Sequence, residues 1–227
     1  MFDPQKLLDQ FLGGKGKPGG LSPDLIKGLA GGAAAGGLAG ILLGGKSTKK
    51  LAKTAIKLGG TAALAGLAYK VYNDWQASRN GAPQTEHPMK DVTPEPQGTV
   101  FLPSNAKARD DLSLALLRAM IAAAKSDGHI DAAEQQRIFG KLDELDLDTE
   151  AKAFVMDELR KPLDIEKVVA AATSPELAVE IYAASFLAID PDDPAEQAYL
   201  AMLAARLKLA PDLKTRIEAE SQRVLAG

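Results

Sequence analysis

Residues 111–124 read DLSLALLRAMIAAA. Leu112, Leu116, Ala119, Met120 and Ala123 recur at three- and four-residue spacing, which places them on one face of an α-helix. The same period runs through the second half of the chain and predicts further helices near 132–146, 150–160, 165–172, 175–189, 194–209 and 212–225. Proline, aspartate and glycine mark their limits. Ser174-Pro175-Glu176 supplies an N-cap, a proline suited to the first helical position and an acid near the positive helix end. No stretch alternates with period two, so residues 105–227 are expected to form an all-α domain with a core of its own.

Towards the N-terminus this pattern stops. Pro83, Pro88, Pro94, Pro96 and Pro103, with Gly81 and Gly98, break every hydrophobic period between 76 and 104. That composition predicts an extended, disordered Pro-rich linker, in which His87 is simply solvated. The expected division is therefore 1–75, 76–104 and 105–227.

Before the linker comes GLAGGAAAGGLAGILLGG, residues 28–45, without one charged or polar side chain. Gly28, Gly32, Gly36, Gly40 and Gly44 stand at every fourth position. On a helix they form a nearly straight stripe of bare backbone, the small-xxx-small pattern of helix packing in membranes. In water each of these glycines costs about 1 kcal/mol relative to alanine. Ser22-Pro23-Asp24 is a helix start ahead of the stripe. A second segment, 51–75, is apolar from 58 to 69 except for Thr61 and ends in Tyr69, Tyr72 and Trp75, placed as interfacial aromatics are. Each segment is a weak span alone, against the ~20 apolar residues a span needs. The expectation is a glycine-zipper membrane helix or hairpin that self-associates, with a surface-lying arrangement or a flexible glycine-rich tail as alternatives. Residues 1–12 form a short amphipathic helix with Phe2, Leu7, Leu8, Phe11 and Leu12 on one side.

Charge divides the chain the same way. Residues 1–104 carry 12 basic and 7 acidic side chains, and residues 105–227 carry 15 and 23, within a total of −3. A basic, glycine-rich front suits an anionic membrane surface. The acidic back end argues against nucleic acid. The absence of cysteine removes disulfides, thiolate catalysis and Cys-type zinc sites, and two histidines, His87 and His129, are too few for a multi-His metal site.

Two loops in the second half look alike: Ala124-Lys125-Ser126-Asp127-Gly128-His129-Ile130-Asp131-Ala132-Ala133-Glu134, and Ala188-Ile189-Asp190-Pro191-Asp192-Asp193-Pro194-Ala195-Glu196. Each repeats Asp-x-x-Glu, which a capping-box-like helix start explains. Asp127, Asp190 and Asp192 are not needed by the caps; side by side, the loops would offer oxygen ligands to a hard divalent cation. The first loop matches the second half of an EF-hand loop, but Ala123 and Lys125 stand where two ligands belong, so an ordinary EF-hand is excluded.

The run AAAKSDGHIDAAE, followed some sixty residues later by AIDPDDPAEQAYLAMLAARLKL, resembles the TerB-like family, named for a tellurite-resistance protein, over residues 107–225. With the glycine-rich segment and the proline linker in front, the chain is similar to the bacterial inner-membrane family typified by YebE, which has no assigned activity. The resemblance implies a helical bundle with two pseudo-repeated halves. It also implies a divalent cation, calcium or magnesium, held by Asp127, Asp131, Glu134, Asp190, Asp192 and Glu196. The expected function is that of a non-enzymatic sensor or scaffold at the inner membrane, with its acidic domain in the cytoplasm and a protein partner the sequence does not name. The alternative is a metal-independent adaptor that oligomerises through its glycine stripe. An enzyme is not expected: no Ser-His-Asp or Cys-His pattern and no phosphate-binding glycine loop occurs, and His129 between two acids reads as solvated.

Overall fold

The computed structural model describes residues 2–12, 60–80, 96–126, 147–189 and 194–226. Among the described residues it is all-helical, with eight helices: α1 Pro4–Phe11, α2 Thr61–Arg79, α3 Ala106–Ala124, α4 Thr149–Arg160, α5 Ile165–Ala170, α6 Pro175–Leu187, α7 Pro194–Arg206 and α8 Pro211–Ala226. The periodicity therefore located every described helix of the second half to within a few residues. The expected helix at 132–146 lies outside the described residues.

Local chemistry explains most helix starts. Asp3, Asn105, Asp148, Asp164 and Ser174 each accept a hydrogen bond from the backbone N–H three residues on. They satisfy donors that the first turn leaves open. Helix α7 ends through Lys208, whose φ is 55°. Its N–H bonds the Ala205 carbonyl, and that of Leu209 bonds the Ala204 carbonyl, both at 3.1 Å, as a Schellman turn requires.

Helix α6 is the axis of the core. Its residues 178–187 are buried without interruption, because α2, α3, α7 and α8 all pack around it. Helix α1 lies on α3 and touches α2, while α4 and α5 cover the remainder of α3. Phe2 stacks at 5.3 Å on Phe154 of α4, whose ring also lies beneath Arg118 of α3. Lys125, at the end of α3, donates from Nζ to the Glu158 carbonyl at 2.9 Å and to the Lys161 carbonyl. It thereby satisfies open carbonyls at the end of α4.

Helix α2 spans the expected boundary at 75 and packs in the same core as the helices beyond 105: Leu64, Ala65, Leu67 and Ala68 are fully buried in it. Its aromatics form no membrane belt. Tyr72 is buried, Tyr69 packs edge-on against Phe101, and Trp75 donates from Nε1 to Asp212 of α8 at 2.7 Å. The reason is general: a helix of small apolar residues packs as closely against protein in water as against protein in lipid. Among the described residues no helix is long and apolar enough to cross a membrane.

The linker also has a structured end. Around Gly98, with φ at +82°, the chain turns back so that the Gly98 N–H meets the Leu102 carbonyl at 2.8 Å. That turn inserts Phe101 between Tyr69 and Tyr72 of α2. Residues 81–95 lie outside the described residues.

Candidate functional site: the clasp between the first two helices

Helix α1 offers one apolar face. Leu7, Leu8, Phe11 and Leu12 are buried in the common core, and Asp9 stands on the other side of the helix, half-buried. Helix α2 starts without a cap of its own: Gly60 sits at the N-cap, with φ at 75° and no side chain to accept a bond. Asp9 takes that role across the chain. Its Oδ1 accepts the Thr61 backbone N–H at 2.7 Å and the Thr61 hydroxyl at 2.5 Å. A carboxylate at a helix N-terminus is favoured by the open N–H groups and by the helix dipole together.

These two contacts bring together the two ends of residues 13–59, since the described chain stops at Leu12 and resumes at Gly60. The glycine stripe, Gly28, Gly32, Gly36, Gly40 and Gly44, lies outside the described residues. Sequence reasoning missed Asp9 and Thr61. An N-cap donated from 52 residues away leaves no local pattern; the one available signal was a helix start at Gly60 with no Ser, Thr, Asp or Asn in place.

Of the acidic candidates, Asp127, Asp131, Glu134, Asp190 and Asp192 also lie outside the described residues. Glu196 is described. It is in the first turn of α7, buried, with an interaction partner of its own. The helices that lead into the two acidic loops, α3 and α6, pack against each other. Among the described residues no group of three or more His, Asp or Glu side chains gathers as metal ligands would. Burial lowers the pKa of Lys125, immediately before the first loop, with Glu158 opposing that shift.

A family model described as "Protein of unknown function (DUF533)" matches residues 28–221, so it spans the glycine stripe, the linker and the bundle alike. An uncharacterized protein encoded in the ampR 5' region of Yersinia enterocolitica is 33% identical over 103 residues, which cover 45% of this chain and 74% of that protein. No solved structure matches the chain.

Proposed function

The chain belongs to the DUF533 family of unknown function, and we propose that it is a non-enzymatic scaffold that holds a membrane from one side through residues 13–59. The observation that carries this reading is the clasp. Asp9 and Thr61 are 2.7 Å apart, whereas a single span between them would separate α1 from α2 by a hydrocarbon layer of about 30 Å. Both ends of residues 13–59 therefore belong on one side of any membrane. Residues 28–45, as a helix, are long enough to reach about 27 Å. The way back is different: Lys46, Lys49, Lys50, Lys53 and Lys57 fall between 46 and 59. That return leg suits anionic headgroups, at about 1 kcal/mol per lysine, rather than acyl chains.

The location proposed with it is the inner membrane, with the bundle in the cytoplasm; the resemblance to the YebE-like family supports this reading. Self-association through the glycine stripe would gather several bundles on one surface for a protein partner. The TerB-like fold, with calcium or magnesium at Asp127, Asp131, Glu134, Asp190, Asp192 and Glu196, makes the bundle a sensor. Titration of either metal, followed by NMR, should move the signals of those residues; none moving at millimolar metal refutes that part alone.

Flotation of the full chain with vesicles tests the anchor. Vesicles containing phosphatidylglycerol should carry the protein, and replacing the five lysines by glutamine should abolish co-flotation at moderate salt. Cysteines introduced at positions 2 and 80 should be labelled from the same side of inverted membrane vesicles. Labelling from opposite sides refutes the one-sided anchor.

A further inference from the structure

Glu180 interrupts the run LAVEIYAASFLAI, residues 177–189, as its one charged side chain. It lies in the middle of α6 and is 0% exposed, and neither carboxyl oxygen has a hydrogen-bond partner. A buried polar group left unpaired is costly, and a carboxylate far more so than a neutral acid. Its direction follows from helical spacing. Glu176, one turn earlier, lies close enough to Tyr72 on α2 to help raise the pKa of its hydroxyl. Residues i and i+4 share a helix face, so Glu180 stands on the side of α6 that turns towards α2. The buried residues of α2 are Thr61, Leu64, Ala65, Gly66, Leu67, Ala68, Val71 and Tyr72, and none of them carries a charge to pair with a carboxylate.

We propose that Glu180 is a proton-operated latch on the α2–α6 interface. Protonated, its carboxyl packs as a neutral group beside the small residues of α2. Ionised, it needs water, and the interface must open to admit it. Because α2 begins at Thr61, opening would also disturb the clasp that joins Asp9 to Thr61. The latch itself stands whether or not residues 13–59 meet a membrane.

Most charges on the surrounding helices are paired with one another. On α2, Lys70 pairs with Asp74 at 3.2 Å and with Glu220 of α8 at 3.7 Å, and burial, with Glu176, raises the Tyr72 pKa. On α3, Lys107 pairs with Asp111 and Arg118 with Glu158, while Arg109 keeps a buried Nε without a partner. On α8, Glu218 accepts from Tyr182, Glu220 pairs with Arg223, and Asp212 holds Trp75. On α7, Arg206 pairs with Glu166, Glu196 has its own partner, and burial raises the Tyr199 pKa. None of them sets the titration of Glu180: burial alone holds its pKa well above the ordinary value of 4.5.

The sign follows. In the open state Glu180 loses its proton near the ordinary carboxylate pKa, and in the closed state it keeps it to higher pH. The latch is fully closed below the ordinary value and loosens as pH rises through the raised one. The opening constant grows by up to about tenfold per pH unit in that window.

Hydrogen exchange of the full chain across this range, corrected for intrinsic rates, tests the proposal. Amides of α2 should open more readily as pH rises, and Glu180→Gln should remove that dependence. Amides of α4, which packs chiefly on α3, should show neither effect. Equal pH dependence in wild type and Glu180→Gln, or parallel opening of α4, overturns the latch. Should Glu180→Gln fail to fold, the carboxyl resonance of Glu180 can be titrated in the unaltered chain. A titration in the ordinary carboxylate range overturns it as well.

Discussion

Helices α2 and α6 are built from similar residues, alanine and large aliphatics with few charges, and they pack against each other. They differ in where their order comes from. Helix α6 carries its own start, Ser174 bonding the Leu177 N–H at 3.3 Å, and the residues that follow are buried on every side. Helix α2 starts at a bare glycine, borrows its cap from Asp9, and is buried all round only over Leu64 to Ala68. A local signal suffices for one, whereas the other is defined by partners distant in sequence. Small apolar residues in a helix therefore report close packing, and only the neighbours decide whether the helix packs in lipid or in a soluble core.

The largest expected effect tests whether the two helices share one core. Leu64→Ala in α2 should cost about 2–5 kcal/mol, in the range expected of Ile181→Ala in α6, since both side chains are fully buried. Denaturation of the full chain, followed by the fluorescence of Trp75, its one tryptophan, measures both. A loss for Ile181→Ala alone would detach α2 from the core.

The same contrast explains what the sequence revealed. Periodicity and caps gave the helices from Ala106 onwards because Asn105, Asp148, Asp164 and Ser174 act within three residues of themselves. It also gave the amphipathic face of α1, where Leu7, Leu8 and Phe11 are buried as their spacing predicts. It left the surroundings of 61–75 undecided, because Leu64 or Ala68 looks the same in sequence whether its neighbour is a lipid chain or another helix of the core in which both are buried. The candidate site was hidden for a similar reason. Nothing near Asp9 announces a helix that begins at Thr61. Glu180 stands in the sequence as a single acid in an apolar run, a signal that periodicity alone passes over, and its meaning depends on its oxygens having no partner.

Removing the two caps sharpens the comparison at the next level of energy. Asp9→Ala should cost about 1–3 kcal/mol, because it leaves the buried Thr61 with an unpaired N–H and hydroxyl. Ser174→Ala should cost about 1 kcal/mol, the ordinary value for an N-cap. The two differ in reach as well. Asp9→Ala should raise hydrogen exchange in both α1 and the first turn of α2, whereas Ser174→Ala should affect the start of α6 alone. Protection of α1 unchanged in Asp9→Ala would mean that its apolar face holds it without the clasp.

The smallest effects concern α8, to which both helices are tied by one aromatic donor and one carboxylate acceptor. Tyr182 of α6 donates to Glu218 at 2.6 Å in a part-buried setting, and Trp75 of α2 donates to Asp212 at 2.7 Å in an exposed one. The geometry is alike, so solvent should set the difference. Tyr182→Phe removes a bond to a charged acceptor shielded from water and should cost about 1–2 kcal/mol. Glu218 stays paired with Lys214 at 2.7 Å in that variant, which keeps the loss from growing. Asp212→Ala should cost less than about 1 kcal/mol, because water replaces the exposed acceptor. It should still shift the emission of Trp75, which keeps its packing against Tyr72 and Arg79 while exchanging its carboxylate partner for solvent. A loss for Asp212→Ala as large as that for Tyr182→Phe would show that the far end of α2, like its start, is held by a single polar contact rather than by its apolar face.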